Sequence, residues 1–282
     1  KTVMFQINWK LKSYIYRILC FFRLHKTLFF IQKHITKRSQ INFDEIIFYW
    51  DYHYEHLKKN NSRSVLEIGA GKSLAQNIYL SYKFNQSIQQ TLVDVSNMLD
   101  LDLFNKANDQ ISKLLRVKSI PSAKTFLDLK KNFNLEYIAP ISLKTIAERK
   151  LKFDANISST TLEHLPEKEL IESFNLLKGI IKKDGIISAA IDYSDHYSHT
   201  DKNIESLNYL QFNDVEWKKF NSPMLFQNRL RHQDYRKIFK NMGFKIFEIK
   251  GEFGKYPKTV SEKFDIKNDE TKILWGYFLL GL

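Results

Sequence analysis

One short stretch constrains this chain more than any other. Ser64-Val65-Leu66-Glu67-Ile68 is an apolar run that stops at Gly69-Ala70-Gly71 and resumes as a helix-compatible segment around Leu74 to Tyr82. Strand, glycine turn and helix is the simplest parse, and it is the opening unit of a parallel α/β sheet. Glycines at such a handover let the backbone approach a ligand held at the helix N-terminus. Two phosphate-binding readings fail on spacing. A P-loop is satisfied by Gly71-Lys72-Ser73 at its tail, but its first glycine would fall on Leu66. A dinucleotide fingerprint needs a third glycine at Leu74, which is too bulky for close approach of helix and strand. What survives is a glycine turn preceded by Glu67. A second acid, Asp94, ends the next apolar run, Thr91-Leu92-Val93, where it would accept hydrogen bonds from both hydroxyls of a ribose.

Strand and helix continue to alternate. A helix-like region reaches about Leu115, and a strand ends near Tyr137-Ile138. Phe153-Asp154-Ala155-Asn156-Ile157-Ser158 reads as another strand. Pro166 with Glu167 and Glu169 starts a helix that Asp184-Gly185 is expected to end, ahead of a strand over Ile186 to Ile191. Residues from about 193 to 230 break the rhythm and read as an insertion beyond a strand end. The pattern returns with a helix over Gln233 to Met242 and strands over Phe244 to Ile249 and Ile273 to Leu280. The rhythm predicts a doubly wound α/β sheet, covered on both faces, over residues 61–282, with a helical extension over residues 1–60.

Three of these segments carry a family likeness. Val65-Leu66-Glu67-Ile68-Gly69-Ala70-Gly71 resembles the first motif of class I S-adenosylmethionine-dependent methyltransferases, Leu92-Val93-Asp94-Val95-Ser96 their second-strand acid motif, and the run from Phe153 to Ser158 their fourth-strand motif. Leu162-Glu163-His164-Leu165, followed by Leu176-Leu177-Lys178 and Asp184-Gly185, resembles the segment that follows that strand. The family's third glycine is Ser73 here, and Ile138-Ala139-Pro140-Ile141-Ser142 lacks the acid that often reads adenine.

The resemblance implies a Rossmann-like, seven-stranded, mostly parallel sheet with an antiparallel last strand, and S-adenosylmethionine as cofactor. It would place Gly69, Ala70, Gly71 and Ser73 at the methionine part, with Glu67 ordering the turn or the amino group. Asp94 and Val95 would lie at the ribose, Ser142 near adenine, and Ser159 and Thr160 on the floor beyond the fourth strand. The activity it implies is methyl transfer to a small-molecule, sugar or lipid-linked acceptor. Because the sulfonium is already activated, positioning and exclusion of water supply much of the acceleration.

A base is needed only where the acceptor loses a proton. The candidates are His164 after the fourth strand and His196 after the fifth, since histidine titrates near neutrality. His199 and Arg229 are candidate acceptor contacts, Arg229 as a clamp on an acidic group. Asp192, Asp195, His196 and His199 offer mixed ligand atoms, but no ligand spacing singles them out, and no metal is assigned.

The net charge of +13 is unevenly placed, because residues 1–43 hold nine Lys or Arg and no Asp or Glu. There Tyr14, Ile15, Ile18, Leu19, Phe21, Phe22, Leu28, Phe29, Phe30 and Ile31 interleave with Lys10, Lys12, Arg17, Arg23, Lys26 and Lys33. Such a basic amphipathic helix either packs its apolar side on the catalytic domain or lies on an anionic membrane surface. The lone Cys20 fits a reducing compartment, so the cytoplasm, with or without peripheral contact at the inner membrane surface, is the expected address. Two other functions stay open: a degenerate Rossmann-like binding module that associates with membranes, and a nucleic-acid methyltransferase. The second is disfavoured because the positive charge sits at one end of the chain.

Overall fold

The computed structural model describes residues 7–22, 24 and 43–282, with side chains from residue 49 onward in the last stretch. The rest of the expected basic extension, including Arg23, Lys26, Leu28 and Lys33, lies outside the described residues.

The chain opens with helices α1 (Trp9–Phe21) and α2 (Phe43–Lys59). An alternating run follows: β1 (Ser64–Ile68), α3 (Ala75–Lys83), β2 (Gln89–Val93), α4 (Leu101–Leu115), α5 (Phe126–Phe133), β3 (Leu135–Ile138), α6 (Leu143–Glu148), β4 (Phe153–Ser159), α7 (Glu167–Ile180) and β5 (Ile181–Asp192). After the one-turn helix α8 (Asp214–Trp217) come α9 (His232–Asn241), β6 (Lys245–Phe253) and β7 (Ile273–Gly281). The seven strands lie in the order β3-β2-β1-β4-β5-β7-β6. All neighbours are parallel except β7, which runs antiparallel to both β5 and β6. The expected doubly wound sheet with an antiparallel last strand is therefore what the chain forms.

Side-chain alternation along the strands feeds two core layers. Val65, Leu92, Ile157 and Ala190 pack beneath α2 to α5, while Leu66, Val93, Ile187 and Ile191 pack against α7 and α9 on the other face. The Asp184-Gly185 turn is placed differently from expectation. The helix already ends at Ile180, and β5 begins at Ile181 opposite Phe153, with a register break before Ala155. Asp154 explains the early stop. Its carboxylate accepts from the backbone of Arg63 and Ser64, and from Lys182 at 2.6 Å, so the lysine is held at the sheet edge. Burial pushes this carboxyl up, but Lys182 and those amides outweigh it and hold it down at about 2.

Between β5 and α9 the chain builds a third apolar cluster, and α1 is part of it. Trp9, 5% exposed, packs on Tyr197, Phe212 and Phe220 with ring centroids 4.7 to 5.7 Å away. Its amide donates to Asp201 at 2.9 Å. The side of α1 that docks is thus Trp9, Lys12, Ser13 and Tyr16. Leu11, Tyr14, Ile15, Ile18, Phe21 and Phe22 are exposed, Phe21 at 81%. Of the two dispositions left open for this helix, packing of its apolar side on the domain is not the one seen, and the reason is local: one large aromatic at the helix start finds an aromatic pocket, and Lys12 and Ser13 beside it on that face are polar.

Truncating a buried tryptophan costs about 3 kcal/mol or more. Trp9→Ala is expected to raise amide hydrogen exchange throughout α1 by roughly 100-fold, while exchange in β1, β4 and β5 stays unchanged. Native-state exchange mass spectrometry measures both.

Candidate active site

The site grows from a polar seam on one face of the sheet. Glu67 in β1, Gln90 in β2, Ser159 in β4 and Ser188 in β5 share the face beneath α2 and α3, where burial forces each polar group to find a partner. Glu67 is fully buried, and its carboxylate accepts from the side-chain amides of Gln76, at 3.1 Å, and Asn77 in α3. Because Gln76 turns its NH2 to the glutamate, its oxygen is free to accept from Ser159 Oγ at 2.7 Å. Ser159 must then accept from His53 Nε2–H at 2.8 Å, which leaves His53 Nδ1 to accept from Ser188 Oγ at 2.7 Å. The tautomer of His53 follows from the donor order. Burial lowers this histidine to about 3, so it is neutral, and burial raises Glu67 to about 7 against the two amides that favour its anion.

This seam fixes the start of α3 against β1 and so shapes the glycine turn. Gly69 and Gly71 both have positive φ, 75° and 76°, the region glycine enters without strain. At Gly69 a second constraint acts, since a Cβ there would lie 2.6 Å from Thr161 Cγ2. At Gly71 a Cβ would meet nothing within 4 Å.

Asp94 sits directly beside the turn. Its carboxylate accepts from the amide of Ser96 at 3.0 Å, and the amides of Gly71 and Val95 lie near enough to favour its anion. Burial raises its pKa, and these amides work in the opposite direction. Gly69 N donates to Val93 O at 2.9 Å, and Ile141 N to Asp94 O at 2.9 Å, so the tips of β1, β2 and β3 are stitched together.

The remaining expected cofactor residues divide. Ala70 and Ser73 lie in the same turn, and Val95 is exposed next to Asp94. Thr160 follows β4 with φ 51° and donates its amide to Ala190. Ser159 is engaged in the seam with His53 and Gln76. Ser142 caps α6, accepting from Thr145 N at 3.1 Å. Glu67 likewise orders α3 and the turn, the first of its two expected roles.

Beyond the β4 and β5 tips the structure assembles a second group. His164 Nδ1–H donates to Phe226 O at 2.7 Å. The His164 and His196 rings are 4.9 Å apart, and those of His196 and His199 are 5.2 Å apart. Asp192 Oδ2 lies 3.5 Å from His196 Nε2 and 3.7 Å from His199 Nε2. Glu163, on the turn that carries His164, is 3% exposed and packed into the same group. Burial, and then the nearby Asp192, push its carboxyl well above the usual range, and burial lowers His164.

Arg229 does not join this group. Its guanidinium is buried against Trp217 and Phe264 and donates to Phe212 O and Asp214, so the clamp expected there is instead a brace within the segment after β5. Sequence reasoning missed His53, Gln76 and Asn77, which sit in helices whose only local signal is amphipathicity. It also passed over Glu163, whose one signal was its place beside His164.

No protein-family model matches the sequence, and no curated protein matches it. Solved structures do resemble it. The trans-methyltransferase CalH in complex with SAH superimposes with a TM-score of 0.50 at 13% identity, covering 90% of this chain and 62% of that one. Magnesium protoporphyrin IX methyltransferase from Synechocystis with bound SAH gives 0.49 at 15% identity, covering 95% and 98%. An S-adenosylmethionine-dependent methyltransferase from Clostridium acetobutylicum gives 0.45 at 13% identity, covering 92% and 98%. At 13% identity the likeness to CalH is one of fold. With the strand order, it gives this chain the fold of the class I S-adenosylmethionine-dependent methyltransferases.

The seam makes stability depend on pH. Glu67 is raised in the folded state, so its contribution is full below its unfolded value and is lost as pH rises through about 7. Glu67→Gln removes that titration. The melting temperature of the variant relative to wild type is therefore expected to rise between pH 5 and pH 8, by the equivalent of up to about 3 kcal/mol. A difference that stays level across this range would mean that Glu67 keeps its ordinary pKa.

Proposed function

We propose that the chain transfers a methyl group from S-adenosylmethionine to an acceptor seated against the β4 and β5 tips. The observation that carries this reading is the placement of Asp94 beside the glycine turn, near enough for the Gly71 amide to favour its anion. A turn of small residues and a carboxylate at adjacent strand tips suit a nucleoside without phosphate: Gly69, Ala70, Gly71 and Ser73 for the methionine end, and Asp94 with Val95 for the ribose. When bound, the cofactor supplies an electrophilic methyl group. The acceptor's lone pair forms the new bond as the carbon–sulfur bond breaks toward sulfur, and any acceptor proton leaves to a base or to water. On the acceptor side stand Glu163, His164, Asp192 and His196, with His199 nearer solvent: groups that take a proton or hold an electrophile at the attacking atom.

Isothermal titration with S-adenosylhomocysteine tests this reading. Wild type is expected to bind one equivalent, and Asp94→Ala to bind roughly 10–100-fold more weakly, the effect of losing hydrogen bonds to a charged acceptor. A wild-type chain that gives no heat refutes it.

A second reading, peripheral contact with a membrane and a lipid-linked or amphiphilic acceptor, is supported by the outward apolar side of α1. Ile15, Ile18, Phe21 and Phe22 are exposed beside Lys10 and Arg17, while the inner side of the helix docks on the segment that carries His196 and His199. An anionic surface would attract such a helix. No helix among the described residues is long and apolar enough to cross a membrane. Wild type is expected to sediment with phosphatidylglycerol vesicles and not with phosphatidylcholine vesicles. The double change I18E and F21E, at exposed positions, is expected to lower that binding at least about tenfold.

A further inference from the structure

We propose that Glu163, His164 and His196, with Asp192 beside them, bind one divalent transition-metal cation at the acceptor end of the crevice. The inference deepens the methyltransferase reading and rests on it for the cation's role, though not for its binding. One ligand atom from each of Glu163, His164 and His196 lies within 4.8 Å of the others. Donors about 2.0–2.2 Å from one cation in a tetrahedral shell lie about 3.3–3.6 Å apart, so an inward movement of these side chains would bring the three into coordinating range, leaving a fourth position open.

Three independent observations point to a cation. Both carboxylate oxygens of Glu163 are buried with no partner at hydrogen-bonding geometry, the amides of Glu163 and Asp192 being the groups near enough to favour its anion. His196 Nε2, on a side chain only 10% exposed, faces only the Asp192 carboxylate at the limit of contact. A carboxylate placed like that of Glu163 is costly to bury unless it is neutralised or coordinated. Next, His164 Nδ1–H is taken by Phe226 O, which fixes the tautomer and leaves Nε2 as a lone pair; metal-binding imidazoles are commonly held from behind in this way. Finally, a second buried carboxylate, Asp192, comes within 3.5 Å of His196 Nε2, and among the described ion pairs no Lys or Arg reaches either acid. The sequence assigned no metal here because the four residues come from two loops, and their spacing along the chain is not that of a contiguous ligand motif.

Two imidazoles beside carboxylates favour first-row ions such as Mn2+ or Zn2+ over Ca2+, which prefers oxygen throughout. Thr161, whose side chain meets Gly69, lies two residues before Glu163, so the proposed cation site neighbours the glycine turn along the chain. There the cation would hold an acceptor hydroxyl and lower its pKa, its proton passing to water, so that oxygen attacks as the anion.

The test uses the full chain stripped with chelator, then titrated with Mn2+ and separately with Zn2+, followed by calorimetry and by thermal melting. Wild type is expected to bind one ion and to melt higher with it. Glu163→Gln and His196→Gln are expected to bind roughly 10–100-fold more weakly and to lose the melting shift. Metal-free E163Q is expected to melt at or above metal-free wild type, because an unpartnered buried carboxylate is gone; should it fail to fold, H196Q decides by the same criterion. Asp94→Asn is expected to keep metal affinity while losing S-adenosylhomocysteine, so the two readings fail separately. The proposal is overturned if folded wild type shows no saturable binding of either ion, or if the folded variants bind with wild-type affinity.

Discussion

The buried carboxylate of Glu67 is the constraint on which the rest of the site depends. An acid placed in the core beside a parallel sheet needs donors, and α3 supplies two side-chain amides from its first turn. That demand orients Gln76, which orients Ser159, which in turn sets the tautomer of His53 and draws α2 onto β4 and β5. A single desolvated charge therefore aligns one helix end and three strand ends, and the glycine turn between β1 and α3 inherits its geometry from that alignment. Each link from Glu67 through Gln76, Ser159 and His53 to Ser188 has its partner, while Asn77 Oδ1 is left buried without one.

Two chemically different regions then sit side by side on the sheet edge. Around the β1 and β2 tips Asp94 accepts from the Ser96 amide beside those of Gly71 and Val95, and the strands are stitched by main-chain bonds. Around the β4 and β5 tips Glu163 and His196 present buried atoms without hydrogen-bond partners. The first region is prepared for a ligand that replaces few internal contacts, while the second stores electrostatic cost that a bound species would relieve. In the proposed function the first region would hold the methyl donor and the second would act on the acceptor. The segment after β5 serves the second site twice over, since one side carries His196 and His199 and the other seats α1 through Trp9.

Much of the region around the β1 and β2 tips was legible along the chain. The run from Ser64 to Gly71 and the acid at Asp94 are local signals, and the rise and fall of apolar residues marked the strands to within a few positions. The cap that Ser142 forms on α6 was not foreseen, because a serine ahead of a helix serves as a cap as readily as a ligand contact. Arg229 was misplaced for a similar reason: its charge says nothing about whether Asp214 and two backbone carbonyls reach it first. On α1, the spacing of apolar residues described an amphipathic helix correctly but not which side would dock.

By itself the sequence determined the doubly wound sheet, the glycine turn and the carboxylate opposite it, because strand length, turn chemistry and helix period are all set by residues within a few positions of one another. Only the tertiary structure decided that Glu163 and His164 meet Asp192 and His196, that His53 closes the seam, and that α1 turns its apolar side outward. Those outcomes depend on β4 lying next to β5 and on which loop tips that order brings together. Adjacency in a sheet is settled by the packing of the whole chain, so no local pattern records it.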